Sequence, residues 1–353
     1  MIDHDTAYSG LLDGDSHGQW AFGTSFDDPL AGVDTTVPDD VDTAALARYC
    51  LMLGDDALIA AQRLAEWNTR APELEEEVAL MNVGLDLLGQ ARLLLARAAA
   101  ADETVVPHIS DTSPIPAEDA LAFFRSPDAF RCVRLVEVGN GDFARTIVRL
   151  LAFSTWRLAV FDRLRTSRDP VLAAVAAKGI KELTYHRDYA ARWAVTLGCG
   201  TPESHRRMVD ALGVVWPLVG ELFVPAAEEL TLAEAGVGVD PRTARDEFDR
   251  VLMRVLHAAD LRAPDDAPPG SVTATTTGSS ATTATGSSAT SSSPATSSSP
   301  ATSAGSATSS NAAAGSSPAT GSGSGRQGQH TEALAPLLAD MQCIARADPE
   351  ARW

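Results

Sequence analysis

Lysine is almost missing from this chain. Lys178 and Lys181 are the only two in 353 residues, and the other fixed cations are all arginines. Before Arg48 no Lys or Arg occurs, while ten aspartates do. With 28 basic and 47 acidic residues the net charge is −19, about half of it in that N-terminal stretch. A chain this acidic, with no basic stripe to neutralise phosphates, is not built for nucleic acid. The four cysteines, at 50, 132, 199 and 343, form no Cys-x-x-Cys pair, a spacing that supports neither a disulfide framework nor a zinc site. No apolar run approaches the length of a membrane span, and the acidic opening Met1-Ile2-Asp3-His4-Asp5 is no secretion signal. A cytoplasmic chain with no membrane partner is expected. A phosphate-cradling glycine loop, a Gly-x-Ser-x-Gly elbow and a dinucleotide fingerprint are all lacking.

What the sequence does have is helical period. Leu46, Cys50, Leu53, Ala57, Ala60, Leu64 and Trp67 recur at three and four residues, with Asp42 or Thr43 placed to cap the start. Ala71-Pro72 makes a turn, and a second helix over about 73–99 carries Leu74, Val78, Met81, Leu85, Leu88 and Leu95 on its apolar side. So short a turn packs the two antiparallel. Prolines 107, 114 and 116 make 102–116 a loop, followed by a short helix over 117–125. A third long helix is expected over 142–166 and a fourth over 170–197, stopped by Gly198 and Gly200. Further helices are expected near 203–223 and 241–259. The fold class is therefore all-α, a four-helix bundle with additional C-terminal helices.

Two stretches break this pattern. Residues 1–40 are rich in Asp, Gly, Ser and Thr and read as an acidic, mostly disordered tail ahead of a bundle over 41–262. Residues 263–329 are almost wholly Ser, Thr, Ala, Gly and Pro and read as a disordered insertion. Leu334, Leu337, Leu338, Met341 and Ile344 then restore a helix, so 330–353 is expected to pack back on the bundle. A long insertion ahead of a docked helix costs little stability.

A four-helix bundle can hold two metal ions with one Glu from each of two helices and Glu-x-x-His from each of the others. The first helix here offers Asp55, Asp56 and Glu66, most simply a solvated face. The second offers Asp86, with no histidine three residues on. The third offers only Asp142 at its start, and the fourth has Glu182 with Tyr185 at the third position and His186 at the fourth. Both Glu-x-x-His pairs fail, so no catalytic, cofactor-binding or metal-ligating residue is assigned. Lys178 lies one turn from Glu182. Either the two form a surface pair, or Lys178, Glu182 and Asp86 fill the vacated cavity as an internal ion pair. Asp56, Glu66, Tyr185 and His186 are secondary candidates around it.

The blocks Leu53-Gly54-Asp55, Gln62-Arg63-Leu64-Ala65-Glu66-Trp67, Gly84-Leu85-Asp86-Leu87-Leu88-Gly89-Gln90-Ala91-Arg92, Lys178-Gly179-Ile180-Lys181-Glu182, Val239-Asp240-Pro241-Arg242-Thr243 and His330-Thr331-Glu332 occur in this order. In them the chain resembles the structural C subunits of bacterial phenylacetyl-CoA 1,2-epoxidases. The resemblance covers about 45–262 and 328–353 and implies a ferritin-like fold and a non-catalytic role in aerobic phenylacetate degradation. It further implies pairing with a homologous catalytic A subunit that carries the di-iron centre, and a small bridging B subunit. A reductase component with FAD and an iron–sulfur cluster would supply electrons from NADPH. The alternatives are that this chain binds iron and activates oxygen itself, or that it stands alone as a helical protein.

Overall fold

The computed structural model describes residues 30–110, 113–264 and 324–350. The expectations for residues 1–29 and 265–323 lie outside the described residues. The described residues all belong to one compact unit.

Two helical hairpins make the bundle. α1 (Thr43–Ala65) starts where the Asp42 carboxylate accepts the Ala45 N–H at 3.0 Å, which satisfies one of the donors a helix start leaves open. It runs back against α2 (Leu74–Ala101) after a connection too short for any other arrangement. The crossover to the second hairpin is long and holds two short helices, α3 (Ala117–Phe123) and α4 (Arg134–Glu137). α5 (Phe143–Leu164) is capped by Asp142, and α6 (Pro170–Gly198) by Asp169 with Pro170 in the first turn. α5 packs on α6, and α6 also meets α2, which joins the hairpins. α7 (Pro202–Val219), α8 (Ala227–Glu234) and α9 (Arg245–Ala258) cover the second hairpin and the outer side of α1. α10 (Leu334–Ala347) returns to α3. Among the described residues there is no strand, and the chain has the all-α, ferritin-like bundle expected of it.

The core forms where the period places it along α1 and α5: Leu46, Leu53, Ile147, Trp156 and Leu164 are all buried. One approach demands glycine. A Cβ on Gly179 of α6 would stand 2.7 Å from the Phe161 ring of α5, so the helices close at a distance no other residue permits.

Four expectations need correction. Of the residues read as the buried side of α2, Leu95 is buried and Met81 half-buried, but the rest face outward: Leu74 is 70% exposed, Val78 53%, Leu85 64% and Leu88 46%. Its buried side is Leu80, Val83, Leu87 and Leu94, a second apolar stripe offset around the same helix. That double stripe also makes α2 long and apolar enough, by length and composition, to cross a membrane, with 44% of its most apolar window buried in the structure. The N-terminal boundary moves too, because Leu30 is buried and the carbonyls of Thr35 and Thr36 accept hydrogen bonds from Arg97. Finally, residues 324–329 are not insertion. Arg326 is buried, and a Cβ at Gly325 would collide with the Cys132 carbonyl. The helices α4 and α8 are absent from the sequence expectation, being too short to show a period.

Candidate functional site

In the middle of the bundle polar groups from all four long helices meet: the Leu53 carbonyl of α1, Gln90 of α2, Arg157 of α5 and Glu182 of α6. Arg157, from the centre of α5, is fully buried. Its Nε–H donates to the Gln90 side-chain oxygen on α2 at 3.0 Å, and Nη1–H donates to the Leu53 carbonyl on α1 at 3.1 Å. The Gln90 amide then donates to Glu182 Oε2 on α6 at 2.9 Å. The guanidinium lies 4.4 Å over the Phe161 ring and 5.7 Å from Phe153, faces that attract a cation. Burial pulls its pKa down to about 10, against the pull of Asp56, so it stays charged at neutral pH.

A row of buried arginine–carboxylate pairs extends from this centre. Asp56 accepts from both ends of the Arg326 guanidinium, at 3.1 and 2.8 Å, and from the Val133 N–H at 2.8 Å. Burial pushes the Asp56 carboxyl up, and Arg326 and Arg157 oppose that shift. Asp55, beside it, is held by Arg125 and by the Arg131 N–H at 2.8 Å. The helix-capping Asp169 takes Arg97 the same way. Buried charges persist only when paired like this. Asp55 and Asp56 are therefore not a solvated face, as their sequence context suggests, but fully buried anchors for the crossover and for the C-terminal segment.

The C-terminal segment has a second anchor. His330 Nδ1 lies 2.6 Å from Glu137 Oε1 and Nε2 3.0 Å from the Phe130 carbonyl, while Thr331 donates its N–H and hydroxyl to Glu137 Oε2. Cys132 Sγ stands 3.8 Å from the same carboxylate, so the fold gathers Cys132, Glu137 and His330 from positions whose sequence spacing gives no hint of it. Every one of these donor atoms is engaged with another.

The candidates named from sequence separate into two places. Glu182 points to the centre, with its side chain 15% exposed, and Lys178 sits at its outer edge, 43% exposed and 3.7 Å away. Asp86 is 36% exposed at its side chain and pairs not with lysine but with His186, Nε2 to Oδ2 at 2.9 Å. The internal Lys178–Glu182–Asp86 triad is thus corrected to a rim pair and a separate His–Asp contact. The reason is reach: Asp86 lies four residues from Gln90, a full helical turn along α2. His186 is buried, and its Nδ1 has no hydrogen-bond partner. Tyr185 is 45% exposed on the outside of α6. Glu66 binds Arg63 at 2.6 Å and Asn140 at 2.9 Å near the end of α1, away from the centre.

Sequence reading misses the residues that fill the centre, Gln90 and Arg157, and the one that plugs it, Arg326. Two signals are available. Arg157 lies mid-helix between Trp156 and Leu158-Ala159-Val160-Phe161, and Arg326 is the sole Lys or Arg between Arg262 and Arg346. As a donor set the centre does not fit a pair of iron ions. It offers one carboxylate, an amide and a guanidinium, where two irons need several carboxylates and two imidazoles.

Comparison with known proteins gives a matching result from two directions. The family model described as "Phenylacetic acid catabolic protein" matches residues 31–275. The C subunit of the 1,2-phenylacetyl-CoA epoxidase of Escherichia coli (strain K12) is 35% identical over 308 residues, covering 87% of this chain and 99% of that protein.

Proposed function

This chain belongs to the phenylacetic acid catabolic protein family, and from that membership we propose that it is the non-catalytic structural subunit of a phenylacetyl-CoA 1,2-epoxidase. A role in phenylacetate catabolism follows from the family itself. A protein related to a subunit has partner subunits of its own. The finer reading is that this bundle pairs with a homologous catalytic subunit and stabilises it, while that partner holds the di-iron centre and the thioester substrate. The bridging subunit and a flavin and iron–sulfur reductase complete the cytoplasmic complex.

One observation carries the non-catalytic assignment. A fixed cation, Arg157, is hydrogen-bonded to α1 and α2 in the bundle interior, the region into which a di-iron bundle projects its carboxylates. Guanidinium does not deprotonate at neutral pH and cannot act as a ligand. What its charge does here is satisfy Gln90, the Leu53 carbonyl and, at a distance, Asp56 and Glu182. This network of hydrogen bonds supports a structural role for the centre.

The test has two parts. The purified chain, incubated anaerobically with ferrous iron and desalted, is expected to retain no stoichiometric metal; about two irons per chain, the full complement of such a bundle, would overturn the assignment. The reconstituted oxygenase is expected to lose most of its turnover when this chain is omitted. Full turnover without it would remove the structural role.

A further inference from the structure

We propose that the outward stripe of α2 is the seam on which this chain receives a helix of a second, more basic helical bundle. The inference rests on the pairing proposed above and says where that pairing occurs. Leu74, Val78, Met81, Leu85 and Leu88 follow one another at spacings of four, three, four and three. That is the repeat of a helix–helix seam, in which each side chain enters a hole on a facing helix. No helix among the described residues covers the stripe, and four of the five side chains are 46–70% exposed. The stripe spans two heptads, about 21 Å of helix at the usual rise.

The surface beside it is shaped to match. Gly84, with no side chain, leaves a furrow of about 130 Å³ between α2 and α1, floored by Leu58, Ala61 and Ala65. A row of side chains from a third helix would lie along this furrow with Leu85 and Leu88 as its outer wall. Scattered exposed apolar residues need no explanation, but a continuous heptad stripe beside an apolar furrow does.

Charge selects the occupant. Glu73 and Glu75 are exposed at the N-terminal end of the stripe, and from Leu74 to Ala91 α2 carries no basic residue. A second copy of this chain, itself at −19, would bring the same acidic helix to the contact, and its Arg92 is already engaged by Glu118. The fitting partner is a different polypeptide, helical, with an apolar heptad face flanked by Lys or Arg opposite Glu73 and Glu75.

Full-length chain would be co-expressed with the companion oxygenase subunit of the same organism and followed by size-exclusion chromatography and a titration of association. Leu85→Glu and Val78→Glu place a charge in the seam at positions already exposed, so the free chain keeps its helix content and melting temperature. Val209→Glu, at a 49% exposed position on α7, is the control. Wild type and V209E are expected to co-elute with the companion, while L85E and V78E raise the dissociation constant at least about a hundredfold. L85E and V78E associating as tightly as wild type would overturn this seam and leave the pairing standing. Wild type failing to associate would overturn the pairing, and the seam with it. A wild-type homodimer that L85E dissociates would overturn the choice of occupant.

Discussion

Arg157 and Glu182 are joined across the bundle through a single amide: Gln90 accepts from the guanidinium at 3.0 Å and donates to the carboxylate at 2.9 Å. Opposite charges on α5 and α6 are thus connected by a neutral residue on α2 and do not touch. An amide serves this purpose because it offers an acceptor and a donor from one planar group. Removing either end leaves the other pointing at an unsatisfied partner.

Arg157→Met should therefore be costly. It strips donors from Gln90 and the Leu53 carbonyl and takes a cation away from Asp56. A loss of about 3 kcal/mol is expected, which lowers the melting temperature of a domain this size by roughly 6–12 °C. Lys178→Met should change stability by no more than about 0.5 kcal/mol, since that lysine is half exposed at the rim. Calorimetry of the two variants side by side checks the contrast. Equal losses would mean that the lysine shares the burden of the centre.

Where the cation sits is also where sequence reading reaches its limit. The lysines draw attention because they are rare, and rarity is the wrong signal: the interior uses arginine throughout, in Arg97, Arg125, Arg157 and Arg326. Arginine suits that place because its fork can satisfy two or three oxygens at once, whereas a buried ammonium tends to lose its proton. The long helices, the cap at Asp42 and the short turn at Pro72 are all legible, because period and capping are local properties. Which of two apolar stripes on α2 faces inward is not. Both repeat at helical spacing, and only the packing of α1 and α6 decides between them. The failure of both Glu-x-x-His pairs is legible as well, since it needs only spacing.

The Asp56–Arg326 pair gives a second prediction. Arg326→Met leaves a buried carboxylate facing a vacated space and should cost about 3–5 kcal/mol. Arg326 also donates to the carbonyls of Met52 and Arg131, so its loss should loosen the C-terminal segment as well. Limited proteolysis should then cleave within 324–350 faster than in wild type. Replacing both partners, as Asp56→Leu with Arg326→Met, should cost less than the sum of the single changes, because no charge is left alone. Additive losses in denaturant melts would mean that the two residues do not act as a pair.

The cysteines divide cleanly. Cys50 and Cys132 are buried, and burial pushes both thiols well above their usual range, helped at Cys132 by the neighbouring Glu137. Cys199 and Cys343 are exposed. Reactivity follows the thiolate and its access. A thiol reagent at pH 8 is expected to modify Cys199 and Cys343 in the native chain and the other two only after unfolding. Peptide mapping that finds Cys132 labelled in the folded protein would contradict the docking of His330 and Glu137 around it.

A last prediction concerns Glu118, buried at the base of α3. Burial is the main force on its carboxyl and raises its pKa; the Asp119 charge adds to this, and Arg92, 3.4 Å away, only partly offsets it. A raised pKa in the folded state means that the folded chain takes up this proton more readily than the unfolded chain does. The group therefore weakens the fold at neutral pH, and the penalty fades as pH falls towards the ordinary value of 4.5. Glu118→Gln removes the titration while keeping the shape. It should equal or exceed wild type in melting temperature at pH 7.5 and lose that advantage as pH falls towards 4.5, the ordinary value of the unfolded carboxyl. If the variant were less stable than wild type by the same margin at both values, the Arg92 contact would outweigh burial, and α3 would be held on α2 by that ion pair.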